Sequence, residues 1–335
     1  MKKIWIFIVI SFVTGFIGGS LSGNKLLSGL LPGGHTSASK AFEFHQGGFP
    51  FINPLLECEV EGETVEFKEL VSFKKDIEGL VGSLKSKKWI DFSAIYFRDL
   101  NNGPWIGISE KKKFSPASLL KVPLMIAYFK EAETNPTILK KTIMFEKPDK
   151  SSFQNIKPSS VMQAGKKYSV EELIRRSIIY SDNDAYLLLL RNLDQKRLIS
   201  IYTDLGVPLP IDGTNEDMMT VKEYATFFRV LFNASYLSRE MSTKALDLLS
   251  KTEFRDGIVA GVPSSIGVVH KFGERDLNDK NTPKQMHDCA IVYYPEHPYL
   301  LCIMTRGDSF EYLDDSIKEI SALIFRSVDS QFGKK

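Results

Sequence analysis

From Glu66 to about Lys88 the apolar residues Phe67, Leu70, Val71, Phe73, Ile77, Leu80, Val81 and Leu84 recur at the spacing of one helical face. Asp91 to Arg98 (DFSAIYFR) reads as a strand, and Asn101-Asn102-Gly103 as a hairpin turn that returns it along Trp105 to Ser109. A very apolar helix follows from Ser118 to Glu133 (SLLKVPLMIAYFKEAE). Further helical periods cover Val170–Ile179, Asp184–Asn192, Gln195–Leu205, Val221–Phe232 and Arg239–Ser250. The last third returns to strands at Gly267–Phe272, Asp288–Tyr294 and Tyr299–Thr305, the final pair joined by the turn PEHP at 295–298. Asp315–Val328 closes the pattern as a helix. Strands at both ends that pair in one antiparallel sheet, around a helical insertion, make an α+β sandwich. A cleft is expected where the helical part meets the sheet.

The pattern changes character upstream of Glu66. Lys2 and Lys3 precede an apolar run from Ile4 to Ile17 (IWIFIVISFVTGFI), which reads as an export signal. Ser20-Leu21-Ser22 would serve as a small-x-small cleavage site; extended through Leu21, the run approaches the roughly 20 residues that span a bilayer. Residues 1–22 are therefore expected to be a signal peptide or membrane anchor. The rest is expected to work outside the cytoplasmic membrane, anchored on its outer face or secreted. Leu21 to about Gly48 is rich in Gly, Ser, Leu and Pro and reads as a tether. Residues 49–64, with FPFINPLLEC, are apolar enough to pack onto the domain, so 23–64 is a tether with an N-terminal extension and 65–330 the globular domain.

Composition excludes some chemistries. A net charge of +2 from 43 basic and 41 acidic residues argues against nucleic acid as the partner; a small molecule is expected instead, bound by a monomer. Cys58, Cys289 and Cys302 are no disulfide framework. Cys289 and Cys302 fall on adjacent strands in unknown register. Two buried free thiols are the expectation there, with a bridge as the alternative. His35, His45, His270, His287 and His297 form no zinc-binding spacing, so neither metal nor cofactor is expected.

Three short motifs carry candidate chemistry. Ser118-Leu119-Leu120-Lys121 places an amine on the same helical face as a hydroxyl. Burial would lower the lysine pKa and allow it to act as a base. The helix start adds a free N–H beside Ser118, which suits an oxyanion. Ser-x-x-Lys also occurs at Ser22, Ser37, Ser72 and Ser109, but only Ser118 opens a buried helix after a strand pair. Ser181-Asp182-Asn183 lies between two helices, where these residue types equally well cap a helix. Lys271-Phe272-Gly273 ends the strand GVVHKFG; its lysine would attract a carboxylate at a cleft wall, and its glycine would allow close approach of a substrate.

The order of the three motifs resembles the penicillin-recognising serine hydrolases, specifically the class A β-lactamase-like family. The resemblance runs from about residue 66 to 330 and includes FSPASLLKVP, YSVEELIRRSIIYSDNDAYLLLL, AGVP ahead of HKFG, and HDCAIVYYP. It implies a β-lactamase/transpeptidase-like three-layer sandwich: an antiparallel sheet flanked by helices, with an all-helical subdomain. It also implies roles. Ser118 would be acylated, Lys121 would assist proton transfer and Ser181 would pass the proton to the leaving nitrogen. Asn183 would hold the substrate amide and Lys271 would favour the substrate carboxylate. Gly273 would admit the substrate, and the N–H groups of Ser118 and Glu274 would form the oxyanion hole.

Two departures limit the resemblance. Class A enzymes carry a glutamate between the second and third motifs that activates the deacylating water; here the connection from Leu205 to Thr220 is short. Its Asp212, Glu216 and Asp217 read as caps of the next helix. Phe272 replaces the usual Thr or Ser, and would point away from the site if a bulge shifted the strand. Glu274 would repel a carboxylate unless paired with Arg275. These changes leave a D,D-peptidase or esterase with slow deacylation as the alternative enzyme, and a decayed cell-surface binding module as the alternative outside enzymology.

Overall fold

The computed structural model describes residues 42–59, 68–149, 152, 154–209, 217–277, 279 and 281–333. The export signal, most of the tether, Asp212 and Glu216 lie outside the described residues. Among the described residues, no helix is long and apolar enough to cross a membrane.

The chain opens with a hairpin, β1 (Phe42–His45) and β2 (Leu55–Glu59). The tether reading extended to Gly48; the structure replaces its end with β1. The hairpin is tied to the rest of the fold through backbone: Asn53 N–H donates to the Phe232 carbonyl and Leu55 N–H to that of Asn233. Tyr293 Oη donates to the Phe51 carbonyl, and Ile52 is buried.

The main sheet uses both ends of the domain. Helix α1 (Lys68–Ser86) leads into β3 (Phe92–Asp99), and the Asn-Asn-Gly turn, with Gly103 at φ +86°, returns the chain as β4 (Trp105–Ile108). Near the C-terminus come β9 (Val268–Arg275), β10 (Lys284–Val292) and β11 (Tyr299–Gly307). The five strands are all antiparallel, in the order β4-β3-β11-β10-β9. One face packs on α1 and on α8 (Phe310–Phe332), through Ile77, Leu84, Ile317, Ile320 and Ile324. The other face packs on the helical part, which is headed by α2 (Lys121–Ala132). That part holds α3 (Val170–Ile179), α4 (Asn183–Asn192), α5 (Gln195–Asp204), α6 (Val221–Phe232) and α7 (Arg239–Ser250). Two short strand pairs lie between: β5 (Lys113–Phe114) with β8 (Met219–Thr220), and β6 (Thr142–Phe145) with β7 (Lys166–Ser169).

Local sequence explains where the helices start. Ser169 caps α3 by accepting from the Glu172 N–H, and Thr220 with Glu223 forms a capping box on α6. The run from Ser118 does not begin as an α-helix. Ala117–Leu120 is a single 3-10 turn, and α2 starts only at Lys121. Pro123 is the reason: it has no N–H to give the Leu119 carbonyl four residues back, and it is tolerated only in a first turn. Tyr224 supplies the missing donor, its Oη bonding Leu119 O at 3.1 Å. Replacing Tyr224 with Phe removes this buried bond, at a cost of about 1–2 kcal/mol. Thermal melting of that variant is expected about 2–6 °C lower, a measurable drop for a domain of this size.

Cys289 and Cys302 face each other directly across β10 and β11 and are joined as a disulfide, which corrects the expectation of free thiols. The reason is register: a directly opposed cross-strand pair brings its side chains together on one face.

Candidate active site

The three motifs meet at one point. The 3-10 turn stacks residues i and i+3, which brings the Lys121 amine over the Ser118 hydroxyl. Lys121 Nζ donates to Ser118 Oγ at 2.8 Å, to Ser181 Oγ at 3.0 Å, to the Ser181 carbonyl at 2.7 Å and to Asn183 Oδ1 at 2.6 Å. Its side chain is only 2% exposed. Burial pushes its pKa down to about 7, against the opposing pull of the Asp182 and Glu274 carboxylates.

The Ser-Asp-Asn corner divides its labour by residue. Asp182 caps α4, accepting from the Asp184 and Ala185 N–H groups. Ser181 and Asn183 turn towards Lys121 instead. Ser181 sits at φ +53°, a conformation that costs an ordinary side chain about 1 kcal/mol or more. Ala117, just before the nucleophile candidate, is at φ +49°.

Lys271 is fully buried behind Ser181, donating to Ser181 Oγ and to the Phe272 carbonyl, each at 2.9 Å. Burial and the neighbouring Lys121 ammonium both push it well below the ordinary lysine range. It therefore stands at the back of the site, not on the cleft wall. Ser181 Oγ bridges the two amines, the arrangement needed to relay a proton between them.

Gly273 abuts the nucleophile turn. A Cβ there would lie 3.1 Å from the Leu119 backbone nitrogen and 3.1 Å from the Pro116 carbonyl. What approaches this glycine closely is the chain itself. Phe272 points away from the cleft and stacks on Phe254 at 4.1 Å. No bulge is needed: β9 pairs with β10 in unbroken register, and the Lys271 amine lies over the Phe272 ring, 4.1 Å from its centroid. Glu274 is not paired with Arg275 in the way expected. Its Oε1 accepts from the Ile156 N–H at 2.7 Å, while Arg275 lies within the field of Asp217.

The cleft has a volume of about 470 Å3. It is lined by Ser118, Lys121, Asn183 and Tyr186 together with Gln154, Asn155 and Glu274. Tyr186 could have been read from the sequence, since it lies three residues beyond Asn183 on a helix. Gln154 and Asn155 follow no motif. Gln154 Oε1 accepts from the Asn183 N–H at 3.1 Å, which holds its segment against α4. The nearby histidines are committed elsewhere. His270 Nδ1 is 3.0 Å from Asp288, and His287 is bonded to the Ser115 carbonyl and driven by burial to about 4. Asp217 is tied to Gln285 and Arg306 at 3.1 and 2.6 Å. Among the described residues of the 205–220 connection, no carboxylate lines the cleft.

The sequence profile of the beta-lactamase enzyme family matches residues 73–328. No curated protein matches this chain in sequence. Among solved structures it is similar to a beta lactamase from Xanthomonas campestris pv. campestris, at 20% identity and a TM-score of 0.64 over 76% of this chain and 97% of that one. It is similar to PBP-A at 19% identity and a TM-score of 0.65, over 78% and 97% of the two chains. An ancestral class A beta-lactamase matches at 19% identity and a TM-score of 0.64, over 75% and 99%. These likenesses establish the fold.

Proposed function

Because the chain belongs to the beta-lactamase enzyme family, we propose that it is an acyl-serine hydrolase with Ser118 as nucleophile, acting on β-lactams or on a related amide or ester. The observation that carries this reading is the buried Lys121 amine 2.8 Å from Ser118 Oγ. A neutral Lys121 takes the hydroxyl proton as Oγ attacks the substrate carbonyl carbon. The Ser118 and Glu274 N–H groups receive the oxyanion that forms. As the intermediate collapses, the carbonyl carbon parts from its leaving nitrogen or oxygen. Ser181 donates its proton to that atom and regains one from the Lys121 ammonium. Asn183 holds a substrate amide. Water then releases the acyl group from Ser118.

The second half-reaction favours a particular variant. Among the described residues of the 205–220 connection no carboxylate lines the cleft to activate water as in class A enzymes, and Asp212 and Glu216 lie outside those residues. The acyl-enzyme is therefore expected to persist, as in a penicillin-binding peptidase or slow esterase. Nitrocefin separates the variants: one stoichiometric burst of hydrolysis is expected, and sustained rapid turnover would assign a true lactamase. Failure of both a fluorescent penicillin and a fluorophosphonate to label the protein would assign a binding module instead. The lysine pair and apolar run at the N-terminus support a location outside the cytoplasmic membrane, which fractionation of cells producing the full chain tests.

A further inference from the structure

We propose that Glu274 sets the charge preference of the cleft, so that among acyl substrates this protein prefers a cationic leaving portion to a carboxylate-bearing one. The inference rests on the acyl-serine reading above. Glu274 lines the same cleft as Ser118 and Lys121. One of its oxygens is satisfied by the Ile156 N–H. The other, Oε2, is buried and has no hydrogen-bond partner. A buried carboxylate oxygen left without a donor is costly, and a ligand that brings a donor or a positive charge removes that cost.

The surroundings point the same way. Asp276 lines the cleft two residues further along the chain, with Lys284 3.6 Å from it, and nearby Asp314 is raised to about 8 first by burial and then by Asp256, Asp288, Asp315 and Glu274. This end of the cleft therefore presents two carboxylates, Glu274 and Asp276. Lys121 and Lys271 lie in the field of Glu274, but both amines are bonded to Ser181. Lys271 is sealed behind Ser181 and fully buried. Phe272 has no hydroxyl to offer an anion and is stacked on Phe254. Arg275, which also lines the cleft, lies in the field of Asp217 and Arg306. A substrate carboxylate at this end would meet Glu274 as a like charge in a partly desolvated pocket, where such contacts weigh most.

Two esters of phenylacetylglycine test the idea, one with a meta-carboxyphenyl and one with a meta-trimethylammoniophenyl leaving group. Wild-type kcat/KM is expected to favour the cationic ester by about tenfold or more, and less so at high salt. Glu274→Gln keeps an oxygen for the Ile156 N–H but removes the charge, so the ratio should collapse towards equality. A wild-type preference for the carboxylate ester, or a ratio unchanged in Glu274→Gln, overturns the proposal. Labelling of wild-type Ser118 by a fluorophosphonate, run in parallel, keeps the two questions apart. Loss of that labelling sinks the acyl-serine reading, whereas intact labelling with the wrong ester preference sinks only the role of Glu274.

Discussion

Ser118→Ala is expected to abolish covalent labelling by fluorescent penicillin and by fluorophosphonates, and to lower kcat/KM for any ester substrate by about ten-thousand-fold. The effect should be this large because no neighbouring group can replace the attacking oxygen. Ser181 is the nearest other hydroxyl in the network, but its Oγ already accepts from both Lys121 and Lys271. The substitution should leave the fold intact. Ser118 is only half-buried, its turn is held by Tyr224 and by the packing of Leu119, and alanine fits the same backbone. Intact-protein mass after incubation with probe reads the outcome directly. Ser109→Ala is the matched control, since Ser109 also begins a Ser-x-x-Lys sequence but is exposed on a loop. Equal labelling of the Ser118→Ala protein would remove Ser118 from the mechanism.

Lys121→Met is expected to slow acylation about a thousandfold, within the usual contribution of a positioned general base. The accompanying pH profile is the sharper test. Burial disfavours the ammonium and brings Lys121 to about 7, although its four hydrogen-bond acceptors and the Asp182 and Glu274 carboxylates favour the charged form. In the proposed mechanism the neutral amine is the base, and its population grows as pH rises. The wild-type acylation rate should therefore climb about tenfold per pH unit below 7 and level off above it. The methionine variant should lose this limb altogether. A wild-type rate that is flat between pH 5 and 8 would contradict a basic role for Lys121. These two substitutions separate the nucleophile from its activation, because only the second changes the shape of the profile.

Much of the architecture was legible in the sequence, and the reason is the strength of its periodicity. Val170–Ile179, Val221–Phe232 and Arg239–Ser250 coincide with their helices to the residue, because each begins at a capping side chain. The last helix is much longer than its apolar pattern, running from Phe310 to Phe332. Its early turns bury Leu313 and little else, so the pattern there was faint. The two-residue strands β5 and β8 left no period to detect. Ser118, Lys121, Ser181 and Asn183 could be picked out because fixed spacing along helices and at a helix junction is a local property. The positions of Lys271 and Glu274 could not. Which strand residues face inwards depends on the register of β9 against β10 and on the segment that crosses the cleft, and the latter is set by a contact 118 residues apart in sequence, the Glu274–Ile156 bond.

Ala117 and Ser181 both hold backbone angles that glycine would accept more cheaply. Ala117 precedes the proposed nucleophile, and Ser181 bonds the amine proposed to activate it. On the proposed mechanism the site thus holds its geometry at a cost in backbone strain, carried by these two small side chains. A laboratory lineage selected for thermal tolerance alone would have an easy route through Gly at these positions, and would drift towards a sturdier but idle protein. Selection that retains both traits has to look elsewhere, in the distant β1–β2 hairpin or along the solvent face of α8, where gains in durability carry no penalty in rate.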